Sequence, residues 1–122
     1  AAVNYDPSHL IRLGVEHIRF LHEFAPHVRH VHAKDTLTFP DAQYELGTMS
    51  PAFLKPHAFG DATWRYCLPG HGEAQWKEIV QILADANYRG MISIELEDEQ
   101  YNGSEAGEKL ALTTTREFLR AL

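Results

Sequence analysis

The sequence predicts an α/β fold built on a parallel sheet, and three observations carry that reading. Short apolar segments of strand type alternate along the chain with amphipathic helical stripes. The order strand, helix, strand, helix, strand, helix demands right-handed crossovers, which make the strands parallel. Each strand segment then runs out into carboxylates or imidazoles, at the end where parallel sheets gather their ligands.

The elements follow in order. Residues 1–5 include Val3 and Tyr5 and read as a first strand. Asp6-Pro7-Ser8 then opens a helix: Pro7 suits an early helical position, and Asp6 or Ser8 can accept from free N–H groups. Ile11, Val15, Ile18 and Leu21 recur at helical spacing, which predicts one helix running to the stop at Pro26. Residues 28–34 (Val-Arg-His-Val-His-Ala-Lys) read as the second strand. Residues 36–72, rich in Pro and Gly, are expected to form a long irregular segment of the kind that serves active sites. Its aromatic residues, among them Phe39, Tyr44, Phe53, Phe59, Trp64 and Tyr66, predict that it packs onto the fold. Trp76, Ile79, Val80, Leu83 and Ala84 form the clearest helical stripe, ended by residues 87–90 with Gly90 as the left-handed residue. Residues 91–96 (Met-Ile-Ser-Ile-Glu-Leu) read as a third strand. A last helix is expected over roughly residues 105–122, with Leu110, Thr114, Phe118 and Leu122 on one side.

Composition narrows the function. The 122 residues amount to one domain or less, with 44% apolar and 23% charged residues. No run of about 18 apolar residues is present, so no membrane partner is expected. The lone Cys67 cannot form an internal disulfide, which fits a reducing, cytoplasmic setting. Lys and Arg number 11 against 17 Asp and Glu, and the net charge of -6 disfavours a nucleic-acid partner. The excess is in histidine, with 8 residues, the side chain most used for metal binding and for proton transfer near neutrality.

The strand ends collect the chemistry. Asp6 and His9 follow the first strand, His32, Lys34 and Asp35 the second, and Glu95, Glu97 and Asp98 the third. Mixed oxygen and imidazole donors suit one divalent ion (Mn, Mg, Co or Zn) rather than a thiolate metal. Such an ion could polarise a carbonyl and stabilise an enediolate while neighbouring carboxylates move protons. Plainer readings exist for each residue. Asp6 can simply cap a helix, and His32 can be a hydrogen-bonded core residue. His30 is assigned to the opposite face of its strand, as a structural residue, and Glu97 to the face of Glu95. His17 and His22 read as surface or packing residues, while His57 and His71 lie where a substrate could be approached. Trp76 reads as core and Cys67 as an inert small residue.

Four segments in this order resemble the sugar phosphate isomerase/epimerase family, the xylose-isomerase-like TIM barrel superfamily. They are Asp6-Pro7-Ser8-His9-Leu10, His30-Val31-His32-Ala33-Lys34-Asp35, Leu68-Pro69-Gly70-His71-Gly72-Glu73 and Ile92-Ser93-Ile94-Glu95-Leu96-Glu97-Asp98. The resemblance runs over nearly all of the chain, least well over residues 37–63. It implies a metal site held by Asp6, His32 and Glu95, with Glu95 and His9 in catalytic roles. It implies that His9, Lys34 and Arg65 meet the substrate, a small sugar or sugar phosphate, with Asp35 facing the substrate or backing the ligands. It also implies a further Glu ligand from an earlier strand, but only five residues precede Asp6. A whole barrel needs about 250 residues, so the chain is expected to be the C-terminal part of a (β/α)8 TIM barrel, about three β/α units. That part alone is expected to have little activity, and the oligomeric state is left open, a homo-oligomer included.

The function the resemblance implies is a metal-dependent sugar or sugar phosphate isomerase or epimerase working by enediolate proton transfer. A related lyase such as inosose dehydratase, an endonuclease-IV-like DNA repair enzyme and a non-catalytic barrel fragment are the alternatives. The acidic balance speaks against the DNA enzyme, and intact ligand types at all three strand ends speak against decay.

Overall fold

The computed structural model describes residues 1–122. Strands β1 (Val3–Tyr5), β2 (Val28–Ala33) and β5 (Ile92–Ile94) form one parallel sheet in the order β1-β2-β5. Helices α1 (Pro7–Ile11) and α2 (His17–Phe24) cross from β1 to β2, and α4 (Trp76–Asp85) leads into β5. Helix α5 (Glu105–Arg120) follows, so the expected parallel α/β order is what the chain adopts. Alternation along β2 sorts its residues. Val31 and Ala33 are buried against Ile18, Leu21, Trp76, Ile79 and Leu83 of the helices, while His30, His32 and Lys34 take the other face; Val28, also buried, precedes the register shift against β1 and stands outside that alternation.

That alternation corrects the assignment of His30. Side chains two residues apart share a face, and the rings of His30 and His32 stand 5.3 Å apart.

The single helix expected between Pro7 and Pro26 is two. Gly14 takes φ of 72°, donates to the Ile11 carbonyl, and lets Val15 donate back to Leu10. These paired bonds close α1 as a left-handed helix end. The Glu16 carboxylate then caps α2 by accepting from the N–H groups of Ile18 and Arg19. The same kind of end closes α4, but the left-handed residue is Asn87 (φ 55°) and not Gly90.

Residues 36–72 are more regular than expected. They hold most of β3 (Asp35–Thr38), the helix α3 (Pro40–Leu46) and β4 (Trp64–Cys67), with β3 and β4 paired antiparallel. The expectation that this segment packs onto the fold holds for Trp64, Tyr66, Cys67 and Leu68, all buried, though Tyr44 and Phe53 remain in solvent. Its return is fixed by Asp35, which is fully buried and accepts four hydrogen bonds. Oδ1 takes the N–H groups of Thr36 (2.8 Å) and Ala74 (2.9 Å), and Oδ2 those of Gly70 (3.0 Å) and the Trp76 indole (3.0 Å). Only glycine fits at position 72, because a Cβ there would collide with Asp35 Oδ1 and the Thr36 carbonyl.

The inward side of α5 is also turned from the expected one. Ala111 and Thr115 are buried, Phe118 and Leu119 pack on the core, and Leu110 is exposed.

Candidate metal centre

The sheet brings together at one rim the three residues expected as ligands. Asp6 leaves β1, His32 lies near the end of β2, and Glu95 follows β5 directly. One ligand atom from each lies within 4.8 Å of the other two. His32 Nδ1 is 3.1 Å from Glu95 Oε1 and 3.6 Å from Asp6 Oδ2. Its Nε2 lies 3.3 Å from the Asn4 amide, which braces the ring from β1.

Asp6 does two things at once. Oδ1 caps α1 by accepting from the Ser8 N–H (2.9 Å) and the Ser8 hydroxyl (2.6 Å). Oδ2 is buried and accepts no hydrogen bond. A buried carboxylate oxygen without a donor is costly unless a charge meets it. The cap and the ligand readings of Asp6 are therefore compatible: the cap orients the carboxylate so that its second oxygen faces the cluster.

Lys34 supplies positive charge to the same corner. It is 3% exposed, and its Nζ lies 2.5 Å from Glu95 Oε2, 3.0 Å from Glu97 Oε2 and 3.7 Å from Asp6 Oδ2. Burial works against its charged form, yet the hydrogen bonds to Glu95 and Glu97 and the charge of Asp6 raise its pKa. Burial likewise opposes the Glu95 carboxylate, but Lys34, His32 and His9 hold its pKa below the ordinary range.

His9, on the first turn of α1, presents Nε2 at 3.4 Å from Asp6 Oδ2. Its Nδ1 is 2.9 Å from the Tyr66 hydroxyl and 3.3 Å from Arg12 Nε. Burial, helped by the charges of Lys34 and Arg12, lowers the His9 pKa against the pull of Asp6 and Glu95. Arg65 is set apart from this group. Its Nη1 donates to buried Asp98 (3.0 Å) and to the Tyr66 carbonyl (3.1 Å), and its Nε is 3.6 Å from Glu99.

The remaining residues sort by contact. Asp35 points into its backbone cradle, not to the rim. His17 is buried, and its Nε2 accepts the Gln75 N–H at 3.3 Å. His57 reaches Glu99 at 3.1 Å, and burial with the charges of Asp35 and Asp98 pushes the Cys67 thiol up to about 12. Sequence reasoning missed Asn4 and Tyr66. Alternation along Val3-Asn4-Tyr5 would have turned Asn4 to the face opposite buried Tyr5. Tyr66 gave no such signal, since its approach to His9 depends on the long-range pairing of β3 with β4.

Comparisons with known proteins bear on the family and the fold. A family model described as Xylose isomerase-like TIM barrel matches residues 1–122. The chain is 30% identical over 95 residues to the inosose dehydratase of Clostridium botulinum (strain Eklund 17B / Type B), covering 78% of this chain and 30% of that protein. It is 30% identical over 98 residues to the uncharacterized protein YfiH of Bacillus subtilis (strain 168), covering 79% and 31%. The crystal structure of a xylose isomerase domain protein from Planctomyces limnophilus superposes with a TM-score of 0.71 at 24% identity, over 98% of this chain and 36% of that one. The chain thus spans about a third of the length of the relatives it matches.

Proposed function

For a chain that belongs to the xylose isomerase-like TIM barrel family, we propose that the intact protein is a metal-dependent enzyme acting on a small sugar, sugar phosphate or cyclitol. The reaction is proton transfer at a carbon beside a carbonyl, as in isomerisation or epimerisation, and the 122 residues contribute the C-terminal units of one barrel. The observation that supports it most is the bare, buried Oδ2 of Asp6, turned to His32 and Glu95.

Asp6, His32 and Glu95 would hold one divalent ion. When bound, such an ion polarises a substrate carbonyl and lowers the cost of removing the neighbouring proton. His32 would offer it the lone pair of Nδ1, with the ring braced at Nε2 by the Asn4 amide. Glu95, kept ionised by Lys34, is the base that accepts the proton, while Lys34 Nζ and Glu97 steady its carboxylate. His9 and Lys34 orient substrate oxygens. A substrate role for Arg65 requires it to give up its contact with Glu99.

Dehydration is the second reading, favoured by the name of the Clostridium botulinum relative. It uses the same first step, followed by loss of a β-hydroxyl as water. The test is to load the intact protein with Mn²⁺ and offer it, separately, ketoses, aldoses and an inosose. Epimerised or isomerised sugar supports the first reading, and a dehydrated product the second. No bound Mn²⁺ and no turnover of any of them would sink both.

A further inference from the structure

His9 reaches the metal corner from α1, and its ring is held from behind. Nδ1 faces two groups, the Tyr66 hydroxyl at 2.9 Å and Arg12 Nε at 3.3 Å. An arginine Nε can only donate. Nδ1 is therefore an acceptor, and neutral His9 carries its proton on Nε2, 3.4 Å from Asp6 Oδ2. A hydroxyl facing that same lone pair must donate as well.

Tyr66 is built to hold this position. It is 8% exposed and paired with Thr36 in the β3–β4 ladder. Its ring meets His9 edge-on at 5.5 Å, Trp64 at 5.0 Å, and the Lys34 ammonium at 4.4 Å from its centroid. Arg12 in turn lies 5.4 Å over the Trp64 ring. One aromatic strand thus carries the first of the groups behind His9 and, through Trp64, supports the second.

We propose that Tyr66, with Arg12 as its partner, is a positioning residue that locks His9 in the Nε2–H tautomer. His9 then faces the metal corner as a hydrogen-bond donor to a substrate oxygen, and not as a ligand, because a protonated Nε2 has no lone pair for an ion. The substrate oxygen rests on the function proposed above; the tautomer and its support by Tyr66 do not.

The test is the long-range proton–nitrogen spectrum of the ¹⁵N-histidine-labelled intact protein without metal, with His9→Gln to assign the signal. The wild type should show a protonated Nε2 and an unprotonated Nδ1 at His9. Tyr66→Phe should shift the Nδ1 signal and admit a measurable share of the other tautomer, at unchanged circular dichroism. A protonated Nδ1 in the wild type overturns the proposal, as does an unaltered His9 signal in Tyr66→Phe. If Tyr66→Phe does not fold, Arg12→Gln reads the same lone pair, with the same two outcomes. With an inosose or ketose that the enzyme turns over, Tyr66→Phe should lower kcat about 10- to 100-fold at unchanged Mn²⁺ content. An unchanged kcat overturns the positioning role. Absence of turnover with the expected spectrum counts against the proposed activity alone.

Discussion

Asp6 spends one carboxylate oxygen on the helix it starts and turns the other, bare of hydrogen bonds, to within 3.6 Å of His32 Nδ1. The two oxygens can be separated by substitution. Asn caps helices as well as Asp does, whereas Ala removes a cap at a cost of about 1 kcal/mol. Asp6→Asn should therefore lose Mn²⁺ binding by calorimetry but lose less stability in urea than Asp6→Ala, because it gives up the charge beside Lys34 and keeps the cap. Wild-type Mn²⁺ affinity in Asp6→Asn would remove Asp6 from the ligand set.

Lys34 is the resident cation among Asp6, Glu95 and Glu97. Lys34→Met should destabilise the metal-free protein, by less than the roughly 3–5 kcal/mol of a broken, fully buried pair, because the two glutamates partly face solvent. Mn²⁺ should then raise the Tm of the variant more than that of the wild type. An equal rise in both would show that the ion does not share the charge site of Lys34. The pH dependence has a definite sign. Glu95 is held low, so its contribution is present at neutral pH and is lost as pH falls through its depressed value. Lys34 is held high, so its contribution is complete below about pH 10.4 and is lost only as pH rises through its raised value.

Buried His17 has a pKa lowered by burial, against the pull of Glu16, Asp35 and Glu78. The unfolded chain then binds a proton before the folded one does. Stability should be complete above about pH 6.5 and should fall as pH drops below it toward the lowered folded value. Urea midpoints between pH 5 and pH 8 would record this, and His17→Gln should flatten that part of the curve. A slope that survives the substitution would assign the effect to another group.

Asp35 accepts four N–H groups while fully buried. Asp35→Asn turns two acceptor positions into donors facing donors, and should cost on the order of 3 kcal/mol. Urea unfolding followed by Trp fluorescence would measure it. A change below about 0.5 kcal/mol, the scale of an ordinary surface substitution, would show that the cradle does not hold the excursion in place.

The strand-end residues were legible because a parallel strand declares its own end: apolar alternation stops and a capping or charged residue follows, as at Asp6 and Glu95. Other features carried no local signal. Strands β3 and β4 pair across an intervening helix and loop, and nothing in Thr36 announces Tyr66. The inward side of α5 is marked by Ala111 and Thr115, which are too short to stand out beside Leu110. Phe118 finds its place because Gly70 leaves room for its ring. Gly14 was visible as a residue, but the apolar stripe that continues across it masked the break.

The alternation of β2 has an effect on error. Val31 and Ala33 are fully buried, while His32 and Lys34 face the ligand rim. A slip of one residue would put imidazole and ammonium into the helix interface and leave the valine and alanine on the polar side. Such a misfolded molecule would be too unstable to persist. Molecules with a wrongly assembled site are thus removed by the quality of their packing, before any test of their chemistry.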